Sequence, residues 1–395
     1  MDLRLDLESR LGVAQITLGS PTFPRLWLAV GDLQIERVEG PTGPLPFVLT
    51  GDPAGGRRLE IAFAEPPQSP LSLEVRYRFK IHDHFDGLLA SQVTFLWPYH
   101  CGNLFPCDPD PADGFTLRLQ VDGVPAGQTL VAPESLVEPA PPYMPAFAVG
   151  PYTFRSLGVT EAGTEIGVWT LPGTEQQALT GAADLLPVFD WYETTYGPYL
   201  FGDRAASVVV DWPSGGFGGM EHHPFWHIAR ASIGDPVTHA HEAAHGWFGN
   251  GVRLRCWEDF ALSEGLATYL AARALEAVRG AAEGERIWNL YRSRLEAEVR
   301  KRDTEAWPTT CDQIDILEHP LWSLIPYLKG AFFLRAVERE VGREKLDGAL
   351  RELYAKRAGE AASVEDLVET IRQETGFDPG SLVQLWLRGR GIPED

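Results

Sequence analysis

The sequence predicts an α+β chain in two parts: an N-terminal antiparallel β-sandwich over residues 1–175 and a mainly helical domain over residues 176–395. Three observations carry that expectation. The first part alternates apolar and polar residues in short runs, the period of half-buried strands. Proline and glycine punctuate those runs. From about Glu175 onward the apolar spacing lengthens to that of a helix. The length of 395 residues fits two or three domains. A 44% hydrophobic content supplies real cores and excludes a disordered chain. Acidic residues number 55 against 34 basic, a net charge of −21, which excludes nucleic acid or an anionic membrane surface as the main partner. Both would demand basic patches.

Taken in order, the strand signals are Gly12–Leu18, Arg25–Val30, Arg58–Phe63, Leu71–Ile81 and Thr116–Val121. In the fourth, Leu71, Leu73, Val75, Tyr77 and Phe79 mark one face. Six prolines between Val124 and Ala146 read as a surface crossing within or beside the β domain. Gln176–Tyr196 is an amphipathic helical stretch, and Ala205–Trp212 is one more buried strand. Asp235-Pro236 is a helix start, an N-cap acceptor followed by proline at the first helical position. That helix is expected to run to Phe248, where Gly249-Asn250-Gly251 stops it. A second spans roughly Asp259 to Val278, with Leu262, Leu266 and Leu270 stacked four apart.

The N-terminus lacks a basic start followed by an apolar stretch, so no secretory leader is expected. No apolar run approaches the length that crosses a bilayer. Four cysteines (Cys101, Cys107, Cys256, Cys311) are too few and too scattered for a disulfide framework or a cysteine zinc knuckle. Reduced thiols and a cytoplasmic location are the resulting expectations, with export after leader removal as the runner-up.

Six of the ten histidines fall between positions 222 and 245. Among them is His241-Glu242-Ala243-Ala244-His245, the H-E-x-x-H pattern. On the helix opened by Asp235, His241 and His245 lie one turn apart on one face, where two imidazoles can share one tetrahedral Zn²⁺. Glu242 is then placed to take a proton from a metal-activated water. By composition alone the pattern arises in roughly one chain of this size in fifty to a hundred, so a third ligand is required. Glu264 supplies it from the next helix, 19 residues beyond His245 and flanked by Leu262 and Leu266.

These patches resemble the aminopeptidase N family of zinc metallopeptidases, within the gluzincins. The resemblance rests on His241-Glu242-Ala-Ala-His245 with Glu264, Trp247-Phe248-Gly249-Asn250, Trp257 with Asp259, and Gly265-Leu266-Ala267-Thr268-Tyr269. It extends to Gly218-Gly219-Met220-Glu221-His222, to Tyr327-Leu328-Lys329-Gly330, to Phe105-Pro106-Cys107-Asp108 and to Trp386-Leu387 with Gly391-Ile392-Pro393. It implies a thermolysin-like catalytic domain with one Zn²⁺ per chain on His241, His245 and Glu264. Glu242 would be the general base and Tyr327 the hydrogen-bond donor to the oxyanion. The substrate would be a peptide with a free N-terminus, bound along Gly218, Gly219 and Met220 and anchored through its amine by Glu221. Two glycines permit backbone approach of an added strand, and a buried carboxylate would pair with an α-ammonium group that internal peptide bonds lack.

Departures accompany the likeness. His222 stands where the family usually has Asn, Gly219 where it has Ala, and Gly246 and Ser263 replace common polar residues. The stretch Thr94-Phe95-Leu96-Trp97 lacks the second amine anchor of typical members, leaving Glu221 as the sole anchor and Phe95 or Trp97 as candidates for lining the first side-chain pocket. Asp259 either orients a histidine or caps a helix. Three readings stay open: a zinc aminopeptidase, a metallohydrolase of other specificity (an endopeptidase or an epoxide-opening relative), and a non-catalytic scaffold. Full-size members carry a large helical C-terminal domain. This chain is expected to be a short member that lacks it, with a less enclosed active site unless a partner subunit supplies a lid.

Overall fold

In a computed structural model, which describes residues 1–19, 25–52, 56–63, 70–212, 217–308 and 311–393, strict alternation does what its period requires. The strand Leu71–Arg78 buries Leu71, Leu73, Val75 and Tyr77 and turns Ser72, Arg76 and Arg78 outward. It pairs in full antiparallel register with Leu11–Leu18, which buries Gly12, Ala14 and Ile16 on the same side. Among the described residues these strands belong to a seven-stranded sheet in the order Ser135–Ala140, Phe115–Asp122, Asp2–Asp6, Leu11–Leu18, Leu71–Arg78, Gln34–Gly40, Gly43–Pro44. Its pairs are antiparallel except Asp2–Asp6 with Phe115–Asp122, which run parallel. A three-stranded antiparallel sheet, with Arg58–Ala62 between Arg25–Ala29 and Phe47–Thr50, adds Leu28, Leu59 and Ile61 to the buried set.

The proline-rich stretch is a surface crossing only in its first part, where residues 125–128 are exposed. Ser135–Ala140 is a strand of the large sheet, and residues 140–149 are buried throughout. Proline is tolerated there because the stretch runs at a sheet margin, where fewer backbone amides need ladder partners. Phe147 meets the remaining demand: its amide donates to Thr94 Oγ1 at 2.7 Å and its carbonyl accepts from Thr94 N at 2.9 Å.

The chain forms two compact units, residues 1–153 with 169–173 and 208–217, and residues 154–168 with 174–207 and 218–395. Within the first, Phe85, Phe95, Trp97, Trp212 and Phe217 make an aromatic cluster with ring centroids 5.1–6.4 Å apart. The second is mainly helical; a five-stranded sheet of the chain has the order Thr153–Val159, Glu165–Thr170, Arg204–Val210, Phe225–Ala229, Gly219–Met220. Its helices are α1 (Glu175–Gly181), α2 (Leu185–Tyr196), α3 (Pro236–Ala244), α4 (Leu266–Arg279), α5 (Ala281–Lys301), α6 (Ile325–Val341), α7 (Arg343–Arg357) and α8 (Val364–Thr375). A buried polar knot joins four of them. Arg273 of α4 pairs with Asp347 of α7 at 3.0 Å, Tyr196 of α2 donates to Asp347 at 2.9 Å, and Tyr269 donates to Glu338 of α6 at 2.8 Å. A buried guanidinium is tolerated because those carboxylates surround it. No helix among the described residues is long and apolar enough to cross a membrane.

All four cysteines are paired, as Cys101–Cys107 and Cys256–Cys311. The expectation of reduced thiols is overturned. Spacing along the chain could not show that Cys256 and Cys311, 55 positions apart, meet in space.

Candidate active site

Asp235 opens α3 as its sequence signals: the carboxylate accepts from Val237 N at 3.2 Å and Thr238 Oγ1 at 2.9 Å. The helix is shorter than expected, ending at Ala244, after which a tighter turn carries the chain to Phe248. His241 and His245 still face the same way. Their Nε2 atoms lie 3.2 Å apart, and Glu264 Oε2 sits 3.1 Å from the first and 3.4 Å from the second. Each ring is held from behind. His245 Nδ1 meets the Phe248 carbonyl at 3.0 Å and Ser263 Oγ at 3.2 Å, while His241 Nδ1 lies 3.5 Å from Thr268 Oγ1. No spacing rule along the chain reveals that Ser263 backs a histidine.

Glu264 does not sit on a regular α-helix. Trp257–Asp259 forms a 3₁₀ turn and Ala261–Gly265 a π-helical turn before α4 begins. Such wide turns recur at functional sites because they re-aim one side chain. Behind it, Gly265 meets Gly330 of α6 so closely that a Cβ on either would lie 2.7 Å from the other's Cα. That approach brings in Tyr327, near the start of α6: its ring stacks on His241 with centroids 5.8 Å apart and planes at 18°, and Phe260 packs edge-on at 5.6 Å.

Gly219–Met220 is a strand at the end of the five-stranded sheet, paired antiparallel with Phe225–Ala229. Its inner side faces α3, since a Cβ on Gly219 would lie 2.3 Å from Glu242 Oε1. Glu221, 3% exposed, brings an oxygen within 4.8 Å of ligand atoms of both Glu242 and His245. Asn250 Nδ2 fixes its backbone through the Glu221 carbonyl at 2.6 Å.

Three buried carboxylates thus crowd two imidazoles. Burial works to lower the His245 pKa, but Glu264, Glu221 and Glu242 overcome it and hold the ring at about 10. Burial works to raise Glu264, but His245 and His241 overcome it and hold the carboxyl at about 2. Burial, with Glu221 and Glu264, pushes Glu242 well above the ordinary carboxylate range despite His245. His241 is lowered by burial. The cluster is short of positive charge, a deficit that a divalent cation would fill. The donor geometry fits one: a tetrahedral ion with bonds of about 2.0–2.1 Å separates its ligands by about 3.3 Å, and the observed sides are 3.1–3.4 Å.

The other four histidines of the cluster point elsewhere and are buried. His222 and His227 face each other at 3.2 Å, His239 lies between Ser207 Oγ and the Ile233 carbonyl, and His223 lies between Tyr199 and the Glu242 carbonyl. Asp259 neither touches a histidine nor caps its own turn. Its Oδ1 accepts from Val364 N, the first residue of α8, at 2.9 Å, and burial raises its pKa to about 7. Glu258, unremarked in the sequence, is buried and accepts from Gln313 N and Ile314 N at 2.8 and 3.2 Å, beside the Cys256–Cys311 bridge.

A family model described as Peptidase family M1 domain matches residues 235–386. That stretch of the chain is similar to the Peptidase family M1 domain. Curated relatives agree: the chain is 28% identical to Aminopeptidase M1-B of Oryza sativa subsp. japonica over 64% of its own length and 30% of the relative's. It is 28% identical to Leucine aminopeptidase 2 of Neosartorya fischeri (69% and 47%) and 26% identical to Aminopeptidase N of Lactobacillus delbrueckii subsp. lactis (91% and 46%). The chain therefore spans 30–47% of the length of these curated relatives. Among solved structures, the fold is similar to yeast LTA4 hydrolase in complex with bestatin, with a TM-score of 0.83, 20% identity, and coverage of 100% of this chain and 68% of that one. It is likewise similar to an M1 zinc metallopeptidase mutant of Deinococcus radiodurans bound to a Tyr-Ser-Ala substrate, with a TM-score of 0.80, 19% identity, and coverage of 100% and 94%. The M1 domain match takes in His241, Glu242, His245, Glu264 and Tyr327, while Gly218–Glu221 lie upstream of it.

Proposed function

We propose that this chain is a zinc-dependent aminopeptidase that removes N-terminal residues from peptides, with one Zn²⁺ per chain held by His241, His245 and Glu264. The observation that carries the reading is a third buried carboxylate, Glu221, on a sheet-edge segment beside that ligand triangle. The aminopeptidase names of the curated relatives support it. When bound, zinc would polarise the scissile carbonyl and acidify the attacking water. Glu242 takes the proton of that water and returns it to the leaving amine. Tyr327 keeps its hydroxyl proton at neutral pH and donates a hydrogen bond to the oxygen that becomes negative. Glu221 pairs with the substrate's α-ammonium group, a charge-assisted contact that sets the cleavage point one residue from the N-terminus. Gly218, Gly219 and Met220 offer the edge along which the peptide backbone lies as an added strand.

The compartment reading shifts with the cysteines. Two disulfides favour an oxidising compartment over the reduced cytoplasm expected from the sequence.

A peptide with a free amine compared with its N-acetylated twin tests the proposal. The free peptide is cleaved and the acetylated one is not, and a chelator stops the reaction. Equal cleavage of both would remove Glu221 from its role and favour an endopeptidase.

A further inference from the structure

The last turn of α3 leaves a carbonyl that the helix does not use. In an unbroken α-helix the Glu242 carbonyl would accept from the amide four residues on, that of Gly246. Here Gly246 N donates instead to Ala243 O at 3.1 Å, and Trp247 N to Ala244 O at 3.0 Å, as the turn tightens. His223 takes the released position, its Nε2 lying 2.8 Å from Glu242 O. A carbonyl can only accept, so Nε2 carries the hydrogen and Nδ1 presents a lone pair. Tyr199 fills that lone pair, its hydroxyl donating to Nδ1 at 2.8 Å. The chain of donors therefore runs one way, from Tyr199 to His223 to the Glu242 backbone.

Gly246 makes room for this arrangement. A Cβ there would lie 2.8 Å from the Tyr199 ring and 3.1 Å from His223 Cε1. Two rings thus occupy the space that a side chain at position 246 would fill. His223 is fully buried, and Phe201 and Trp226 pack against its ring, so water cannot substitute for either partner.

Resting on the aminopeptidase reading, we infer that His223 is a positioning residue that clamps the backbone of the general base Glu242 to the segment carrying the amine anchor Glu221, with Tyr199 fixing its tautomer and Gly246 giving it space. Glu221 is two residues before His223, and Asn250 ties the Glu221 carbonyl separately at 2.6 Å. The spacing between amine anchor and base is then held by two buried hydrogen bonds. A peptide held at its N-terminus meets Glu242 at a fixed distance from its first carbonyl.

The test uses the zinc-loaded full chain and an aminoacyl-arylamide with a free amine. His223→Phe keeps a ring and removes both bonds. It lowers kcat by tens of fold, in line with about 10²-fold for an ångström of misplacement, with KM little changed. His223→Gln places an amide donor where Nε2 stood and recovers most of kcat. Tyr199→Phe keeps the packing, folds as the parent does, and gives a smaller loss. Hydrogen exchange at the amides of residues 243–248 provides a readout independent of turnover: faster in His223→Phe, near parental in His223→Gln. Parental protein without activity overturns the aminopeptidase reading, and the exchange pattern then still decides the clamp. Equal kcat per folded molecule in His223→Phe and parent, or equal exchange, overturns the clamp.

Discussion

Gly330→Ala probes how Tyr327, the proposed oxyanion donor, is placed. The new Cβ would lie 2.7 Å from Gly265 Cα and 3.2 Å from the Ala261 carbonyl, both backbone atoms that cannot swing aside. Carbon atoms pack comfortably at about 3.5–4.0 Å, so α6 must retreat from the π-helical turn by about 1 Å. Tyr327 precedes Gly330 by three residues and shares its face, so its ring withdraws from His241 and Glu264 with the helix. Overpacking of this kind costs about 1–3 kcal/mol. At roughly 2–4 °C per kcal/mol for a domain of this size, Tm falls by several degrees. With Tyr327 as the proposed oxyanion donor, its displacement by about 1 Å lowers kcat by up to about 10²-fold. Calorimetry and arylamide hydrolysis read the two effects. Gly348→Ala in α7, where a Cβ meets nothing within 4 Å, is the control. It leaves kcat unchanged and raises stability by about 0.4–1 kcal/mol. Parental Tm and kcat in Gly330→Ala would refute the argument that the glycine contact sets the site.

Glu242→Ala abolishes peptide hydrolysis while zinc remains bound by elemental analysis, because the side chain is absent from the ligand triangle; full residual activity would sink its role as base. Thiol titration of the unfolded, unreduced chain finds no free cysteine, and replacing Cys256 and Cys311 by serine lowers stability by about 4 kcal/mol, the loop-closure value for 55 positions. Four reacting thiols would contradict the pairing. His82 hydrogen-bonds Asp86 at 3.1 Å, which raises its pKa against the effect of burial. Its contribution is fully present below the ordinary imidazole value near 6.5 and is lost as pH rises through the raised folded value. A Tm profile over that range therefore falls more for the parent than for His82→Gln, and parallel profiles would remove the pair from the stability account.

Local chemistry made much of this protein legible. Alternation at Leu71–Arg78 told which side is buried, because strand geometry puts every second side chain on one face. Asp235-Pro236 told where the helix of His241 begins, and the four-residue step from His241 to His245 told that their rings share a face. Those features act within one turn or one strand, the range over which a sequence pattern is a direct statement about geometry. What lies beyond that range was decided by tertiary packing. The end of the proline stretch, residues 140–149, became buried, with Thr94 bonding the Phe147 amide. Asp259 left the histidines for α8, and Cys256 found Cys311. His223, one imidazole among six in the cluster, gained a distinct place only because Gly246 leaves room beside the Glu242 carbonyl. Pairing of groups far apart in the chain depends on which backbones can approach one another, and only the packed fold determines that.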